Sequence, residues 1–196
     1  MKVVAFNGSP RKKGNTNTLI TYVLEEISKQ GIDTEIIQLS GKNLRGCISC
    51  FKCFENLDKK CVVTNDGMND CIAAMIEADG IIIGSPTYFA NVTADVKALI
   101  DRAGLVSMAN GGLFQKKVGA AVVAARRAGS VQAFDAINRL FLYSQMIVPG
   151  SNYWNMGFGL SPGDVEKDEE GINTMKVLGT NMAWLLKKIK QPDYTL

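Results

Sequence analysis

At 196 residues, 46% hydrophobic and 21% charged, the chain has the make-up of one soluble globular domain, long enough to close a core without staples. A net charge of +3, with bases interspersed among acids as in Glu166–Glu170, gives no footing for a nucleic-acid partner, and no apolar run approaches the ~20 residues that a bilayer span needs. Histidine is absent, which removes Ser-His-Asp and Cys-His nucleophiles, His-zinc sites and imidazole acid–base work, and leaves hard chemistry to a cofactor, a metal or cysteine.

In chain order, Val3–Phe6 reads as a short buried strand. The turn from Gly8 to Asn17 then opens a first helix, whose stripe of Leu19, Ile20, Val23, Leu24 and Ile27 ends near Gly31. Thr34–Leu39 is a second strand. Ser40 to Asn65 follows with little periodicity, and an insertion of that length in a compact domain is usually functional. Cys71, Ile72, Met75 and Ile76 mark a helix, Gly80–Gly84 a strand, Val96, Leu99 and Ile100 a helix, and Val118–Val123 a strand. Ala133, Ile137, Leu140 and Phe141 mark another helix, Met146–Val148 a fifth strand, and Ile172 to Ile189 a long C-terminal helix. Strands written as continuous apolar runs and alternating with helices predict a parallel sheet covered on both faces. The expectation is an α/β, flavodoxin-like, doubly wound five-stranded parallel sheet of order 2-1-3-4-5, with a cysteine-rich insertion after strand two. Residues 1–190 form one domain carrying the cysteine loop 40–65, and Gln191–Leu196 reads as a tail.

Two segments carry chemistry. Gly8-Ser9-Pro10-Arg11 to Asn15-Thr16-Asn17 sits between a strand and a helix N-terminus, where free amides and the helix dipole favour an anion. Ser9, Asn15, Thr16 and Asn17 offer side-chain donors and Arg11 a charge. The turn matches neither G-x-G-x-x-G nor G-x-x-x-x-G-K-[ST], which disfavours a dinucleotide fold and an ATP loop. The second segment is Cys47, Cys50, Cys53 and Cys61, spaced C-x2-C-x2-C-x7-C. Three thiols at consecutive x2 spacing fit iron–sulfur ligation better than zinc, which usually arrives as two separate knuckles; a metal-free loop of reactive thiols is the other alternative. Cys71, on an apolar stripe, reads as core. Trp154 and Trp184 read as core or interface aromatics.

The turn Gly8-Ser9-Pro10-Arg11-x-x-Gly14-Asn15-Thr16 resembles the phosphate loop of the NADPH-dependent FMN reductase superfamily, and Gly84-Ser85-Pro86-Thr87-Tyr88-Phe89 is similar to its second flavin loop. Gly46-Cys47 through Cys61 resembles the cysteine motif of the iron–sulfur flavoprotein branch, with a gap before Cys61 at the long end for that branch, and Cys71 lies just beyond. The resemblance implies FMN and a [4Fe–4S] cluster, with NAD(P)H as a possible electron donor. Both flavin loops fall at C-terminal strand ends beside the switch point, where ligands of open α/β sheets bind. Pro86, Thr87, Tyr88, Phe89 and Asn91 would then supply aromatic faces and amides to the isoalloxazine, and Ala125, Arg126 and Gly129, after strand four, would approach its edge.

The expected function is an FMN-dependent oxidoreductase whose cluster, on Cys47, Cys50, Cys53 and Cys61, relays single electrons. One alternative is an NAD(P)H-dependent FMN, quinone or azo reductase without a cluster; another, non-enzymatic, is a flavodoxin-like carrier or redox sensor. No catalytic side chain is required, because the flavin carries the chemistry. The redox partner is a small molecule or a protein such as ferredoxin. Clustered cysteines and a short N-terminal apolar segment without a leader pattern point to the cytoplasm. A homodimer or homotetramer is expected, both from the resemblance and from the exposure of a flavin edge on so small a domain.

Overall fold

Alternating side chains on the central strands feed two cores, one on each face of the sheet. The computed structural model describes residues 1–190, so the tail expected at Gln191–Leu196 lies outside the described residues. Its strands are β1 (Lys2–Asn7), β2 (Asp33–Gln38), β3 (Gly80–Pro86), β4 (Val118–Ala125) and β5 (Met156–Phe158). The helices are α1 (Asn15–Ser28), α2 (Lys52–Asn56), α3 (Met68–Glu77), α4 (Ala94–Ala109), α5 (Ser130–Tyr143) and α6 (Glu169–Ile189). Among the described residues the strands form one sheet of order β2-β1-β3-β4-β5, every pairing parallel. This is the flavodoxin-like plan that the alternation implied.

Val3 and Ala5 of β1, Ile82 of β3 and Val122 of β4 face α1 and α6, where Leu19, Val23, Met175 and Met182 cover them. Val4, Phe6, Ile81, Ile83 and Val123 face the other way, against Ile72, Leu99, Ile137 and Phe141 of α3, α4 and α5. Each fully buried aliphatic or aromatic side chain of this kind contributes roughly 1.5–3 kcal/mol, which holds the helices on both faces of the sheet.

The fifth strand departs from the sequence reading. Ile147, inside the expected strand Met146–Val148, makes a single parallel bridge to Val118, its amide donating to Lys117 O and its carbonyl accepting from Gly119 N, both at 2.9 Å. Pro149 has no N–H for the ladder, and the chain leaves the sheet there. It returns as Met156–Phe158, paired with Val123–Ala125. The apolar run marked where the edge begins, but the strand itself comes after the loop Val148–Asn155. That loop therefore precedes β5.

β1 pairs with β2 on one side and β3 on the other, so the chains leaving β1 and β3 diverge at their C-terminal ends and open a crevice. The rim is tightly tied. Gly8 N donates to Gly84 O at 2.8 Å, and the Thr93 hydroxyl donates to Gly8 O at 2.9 Å while Thr93 N donates to Ser85 Oγ at 3.1 Å. A Cβ on Gly8 would lie 2.1 Å from Val96 Cγ2, so only glycine permits this approach of β1 to α4.

Candidate functional site

The crevice is lined by Ser9, Arg11, Asn15 and Thr16 from the first turn, Pro86, Thr87 and Tyr88 after β3, Ala124 and Arg126 at the end of β4, and Gly159 and Leu160 after β5. The first turn is folded by its own side chains. Ser9 N donates to Asn7 Oδ1 at 3.1 Å, Arg11 N to Ser9 Oγ at 3.1 Å, and Gln38 Nε2 on β2 to Ser9 O at 2.6 Å. Gly14 precedes the first turn of α1, and no side chain caps the helix amides there. The Thr16 and Thr87 hydroxyls, on opposite sides of the crevice, are buried without a hydrogen-bond partner. Native proteins rarely leave buried donors unpaired. Thr16, in the first turn of the uncapped helix, suits an anionic acceptor oxygen of a ligand, and Thr87 across the crevice can serve another polar group of the same ligand.

Other expected residues play different parts. Asn15 Oδ1 accepts from Gly163 N at 3.0 Å and Val165 N at 3.5 Å, so this side chain ties α1 to the segment after β5. Arg11 reaches the same segment, Nη1 donating to Leu160 O at 3.3 Å. Asn17 does not line the crevice, and its carbonyl accepts from Thr21. Phe89 and Ala90 form the tip of a tight turn closed by reciprocal Tyr88–Asn91 bonds, at φ 48° and 56°. Tyr88 lines the crevice half-exposed, whereas Phe89 projects fully into solvent and the Asn91 side chain accepts from Val92 N. Ala125 lies beside the lining residues. Gly129, at φ 83°, packs so near Ala90 that a Cβ would stand 2.9 Å from its Cα, holding the two loops together.

The four cysteines of the insertion meet at a second site. Cys47, Cys50, Cys53 and Cys61 all line one small, mostly apolar cavity with Ile48, Phe51, Val62, Val63 and Arg102. Cys47 and Cys50 are exposed, Cys61 is half-buried and Cys53 is buried. Burial pushes the Cys53 thiol up, hydrogen bonds from the Cys53 and Phe54 amides oppose this, and the nearby Cys50 and Cys61 raise it further. Ser49 N donates to Cys47 Sγ at 3.4 Å. Around the cavity Ser49, Phe51, Leu57 and Lys59 adopt left-handed backbone, which costs a non-glycine residue roughly 1–2 kcal/mol each. No three Cys, Asp or Glu side chains among the described residues stand close enough to hold a single ion. What the four cysteines share is this one cavity. Cys71 stands apart in the core between α3 and the sheet, its thiol pushed up to about 11 mainly by burial.

Sequence reasoning missed Arg102. It lies on α4, 2% exposed, and bonds Cys61 Sγ through Nε at 3.3 Å, with Asp66, Arg45 and Val63 taking its other donors. Burial alone would lower its pKa, but the bonds to Asp66 and Cys61 outweigh that and raise it. Trp154 and Trp184, expected in a core or an interface, are both largely exposed. No described helix is long and apolar enough to cross a membrane.

A flavodoxin-like sheet with a hydroxyl-lined crevice at its switch point defines a class of nucleotide-cofactor proteins, and comparison with known proteins narrows it. Residues 1–161 match the family model described as NADPH-dependent FMN reductase. An iron–sulfur flavoprotein of Methanocaldococcus jannaschii is 40% identical, over 97% of this chain and 100% of its own length. Iron–sulfur flavoproteins of Archaeoglobus fulgidus and Methanosarcina thermophila are 33% and 32% identical, each over 97% of this chain and 98% of its own. Among solved structures, an NADH:FMN oxidoreductase in its apo form has a TM-score of 0.65 at 19% identity, covering 97% of this chain and 91% of that one. An archaeal flavodoxin has a TM-score of 0.63 at 17% identity, covering 95% and 99%; at these identities the likeness is one of fold. The chain belongs to the NADPH-dependent FMN reductase family, in its iron–sulfur flavoprotein branch, and is a flavin-dependent oxidoreductase.

Proposed function

We propose that the protein binds FMN in the crevice beside Ser9–Asn17 and a [4Fe–4S] cluster on Cys47, Cys50, Cys53 and Cys61, and transfers electrons between them. The observation that carries the cluster reading is the single cavity lined by all four thiols, with Cys71 excluded from it. A cubane needs four soft ligands spread around a volume, and a surrounding set suits that better than a single-ion site. When bound, FMN exchanges one or two electrons and the cluster one at a time, which would couple a two-electron donor such as NAD(P)H to a one-electron acceptor such as ferredoxin. The Thr16 hydroxyl, Ser9, Arg11 and the first amides of α1 would hold the phosphate. Thr87 and Tyr88 would flank the ring, and Arg126 would supply positive charge at the mouth. None of these residues needs to move a proton, in keeping with a chain that has no histidine.

Leu142, Tyr143, Tyr153 and Trp154, exposed on α5 and the loop before β5, support a homodimer or homotetramer. Clustered free thiols support a reducing, cytoplasmic location. The decisive experiment is an anaerobic visible spectrum of purified protein with iron and sulfide assays. Flavin bands with a broad shoulder between them, and iron and sulfide in equal amounts, are expected. Flavin without iron and sulfide leaves the cluster-free NAD(P)H-dependent FMN, quinone or azo reductase.

A further inference from the structure

Arg102 is more heavily bonded than any other side chain near the thiols. A guanidinium has five N–H donors and no acceptor. Here Nε donates to Cys61 Sγ at 3.3 Å, Nη1 to the Asp66 carboxylate and to Arg45 O at 3.1 Å, and Nη2 to Val63 O at 2.9 Å. Arg102 comes from α4, part of the flavodoxin-like frame, yet all its partners lie in the stretch between β2 and α3 that carries the cysteines. One side chain therefore grips the cysteine segment before Cys47, at Cys61 and beyond it. Asn69 completes the hold on Cys61, accepting from its amide at 2.8 Å and donating to its carbonyl at 2.9 Å. Asp66 also accepts from Arg45 N at 3.1 Å and Met68 N at 3.2 Å, so both of its carboxylate oxygens are bonded.

An ion pair that served only as an anchor would need no contact with sulfur. In this one Nε–H is directed at a thiol that lines the cavity, while Asp66 sits on Nη1, the nitrogen away from that sulfur. Among the described residues no other cysteine Sγ accepts a hydrogen bond from a cationic side chain, and Lys52 meets Cys50 through charge alone. Hydrogen bonds and positive charge at a cluster's sulfur ligands stabilise its more negative, reduced form and raise its potential.

We infer that Arg102 is the positioning residue of the cysteine centre, fixing Cys61 Sγ at the cavity through Nε–H and raising the reduction potential of the cluster held there. This rests on the cluster reading above. Its test compares the full chain with Arg102→Gln/Asp66→Asn, which removes both charges together and so leaves neither buried alone. Both proteins are loaded anaerobically with iron and sulfide and titrated by electron paramagnetic resonance. The double variant is expected to show a more negative cluster midpoint with the FMN couple unmoved. The same cluster midpoint in both overturns the inference. A double variant that keeps FMN but takes up no iron supports it, since Cys61 is then no longer held in place. Should the double variant lose FMN, Arg102→Lys replaces it. Lysine keeps the charge without the fork that reaches Cys61 and the loop carbonyls together, and lower iron and sulfide uptake is expected; uptake equal to wild type overturns the inference. A wild-type chain that takes up no iron and sulfide refutes the cluster reading instead. Hydrogen exchange of the cofactor-free protein then decides the positioning: Arg102→Lys is expected to speed exchange over residues 44–66 by about tenfold or more, and equal exchange overturns it.

Discussion

The Thr16 hydroxyl has no hydrogen-bond partner within the protein, and a phosphate oxygen in the crevice would supply one. Thr16→Val keeps the shape and removes the donor, so two measurements should move in opposite senses. The melting temperature without FMN should hold or rise, while FMN affinity by titration should fall about tenfold or more. Unchanged affinity would remove Thr16 from the phosphate site. Asp66 makes a pH prediction. Burial would raise its pKa, but Arg102 and the amides of Arg45 and Met68 more than offset this and hold the carboxyl below its ordinary range. The unfolded chain therefore binds more protons in acid, and the stabilisation is complete above the unfolded carboxylate value of about 4 and lost as pH falls through the lower folded one. Urea midpoints measured from neutral pH downward should fall more steeply for wild type than for Asp66→Asn; equal slopes would contradict the assignment. A trace of this pair was present in the sequence. Arg102 falls among Val96, Leu99, Ala103 and Val106 on the stripe that α4 buries, where a cation needs a partner. That the partner is Asp66, thirty-six positions away and inside an aperiodic segment, is a fact of tertiary structure.

At the scale of elements, the turn after β3 breaks a local rule. Two-residue hairpin turns with both central residues left-handed favour Asn-Gly, and this one has Phe89-Ala90 with the phenyl ring in solvent. Phe89→Asn/Ala90→Gly should stabilise the cofactor-free protein by about 1 kcal/mol, seen as a higher melting temperature. A lower one would mean that Phe89 packs against something in the folded protein. The helices were legible because their apolar stripes recur at 3.6 residues, and β1, β3 and β4 because burial on both faces makes them uniformly apolar. β5 was not. Met156-Gly157-Phe158 is short, and its glycine is present because a Cβ would stand 2.7 Å from Leu19 of α1. The neighbouring run at Met146 carried the stronger apolar signal. α2 was invisible for a different reason: its five residues lie between left-handed Phe51 and Leu57, and its shape follows from loop geometry, not from periodicity.

For the whole molecule, the crevice and the thiol cavity are built from separate stretches of chain, so each should be removable without the other. Cys50→Ala should abolish iron and sulfide binding and leave FMN bound. Cys71→Ala should keep both and cost about 1 kcal/mol of stability from lost core packing, read by urea unfolding. Iron retained by Cys50→Ala, or lost by Cys71→Ala, would reassign the fourth ligand. Sedimentation at micromolar concentration should show an assembly larger than the 21.3 kDa chain; a monomer alone would leave the exposed aromatics of α5 and the loop before β5 without their proposed role. The spacing of the four thiols was readable because ligand geometry is local, and the crevice because strand ends and Gly-Ser turns are local too. How the two sites are tied to the frame was not, since those ties join residues far apart in sequence.

The grip of α4 on the insertion bears on how such a centre could be transplanted. A cysteine loop that folded on its own could be moved between flavodoxin-like proteins as a cassette. This one takes its anchoring cation from a helix of the recipient, so residues 40–66 grafted without an arginine in the position of Arg102 would carry a buried, unpaired Asp66 and a fourth thiol free to swing. Loop and helix are therefore one heritable unit, and an exchange between proteins that separated them would produce a host with four cysteines and no defined place for the last.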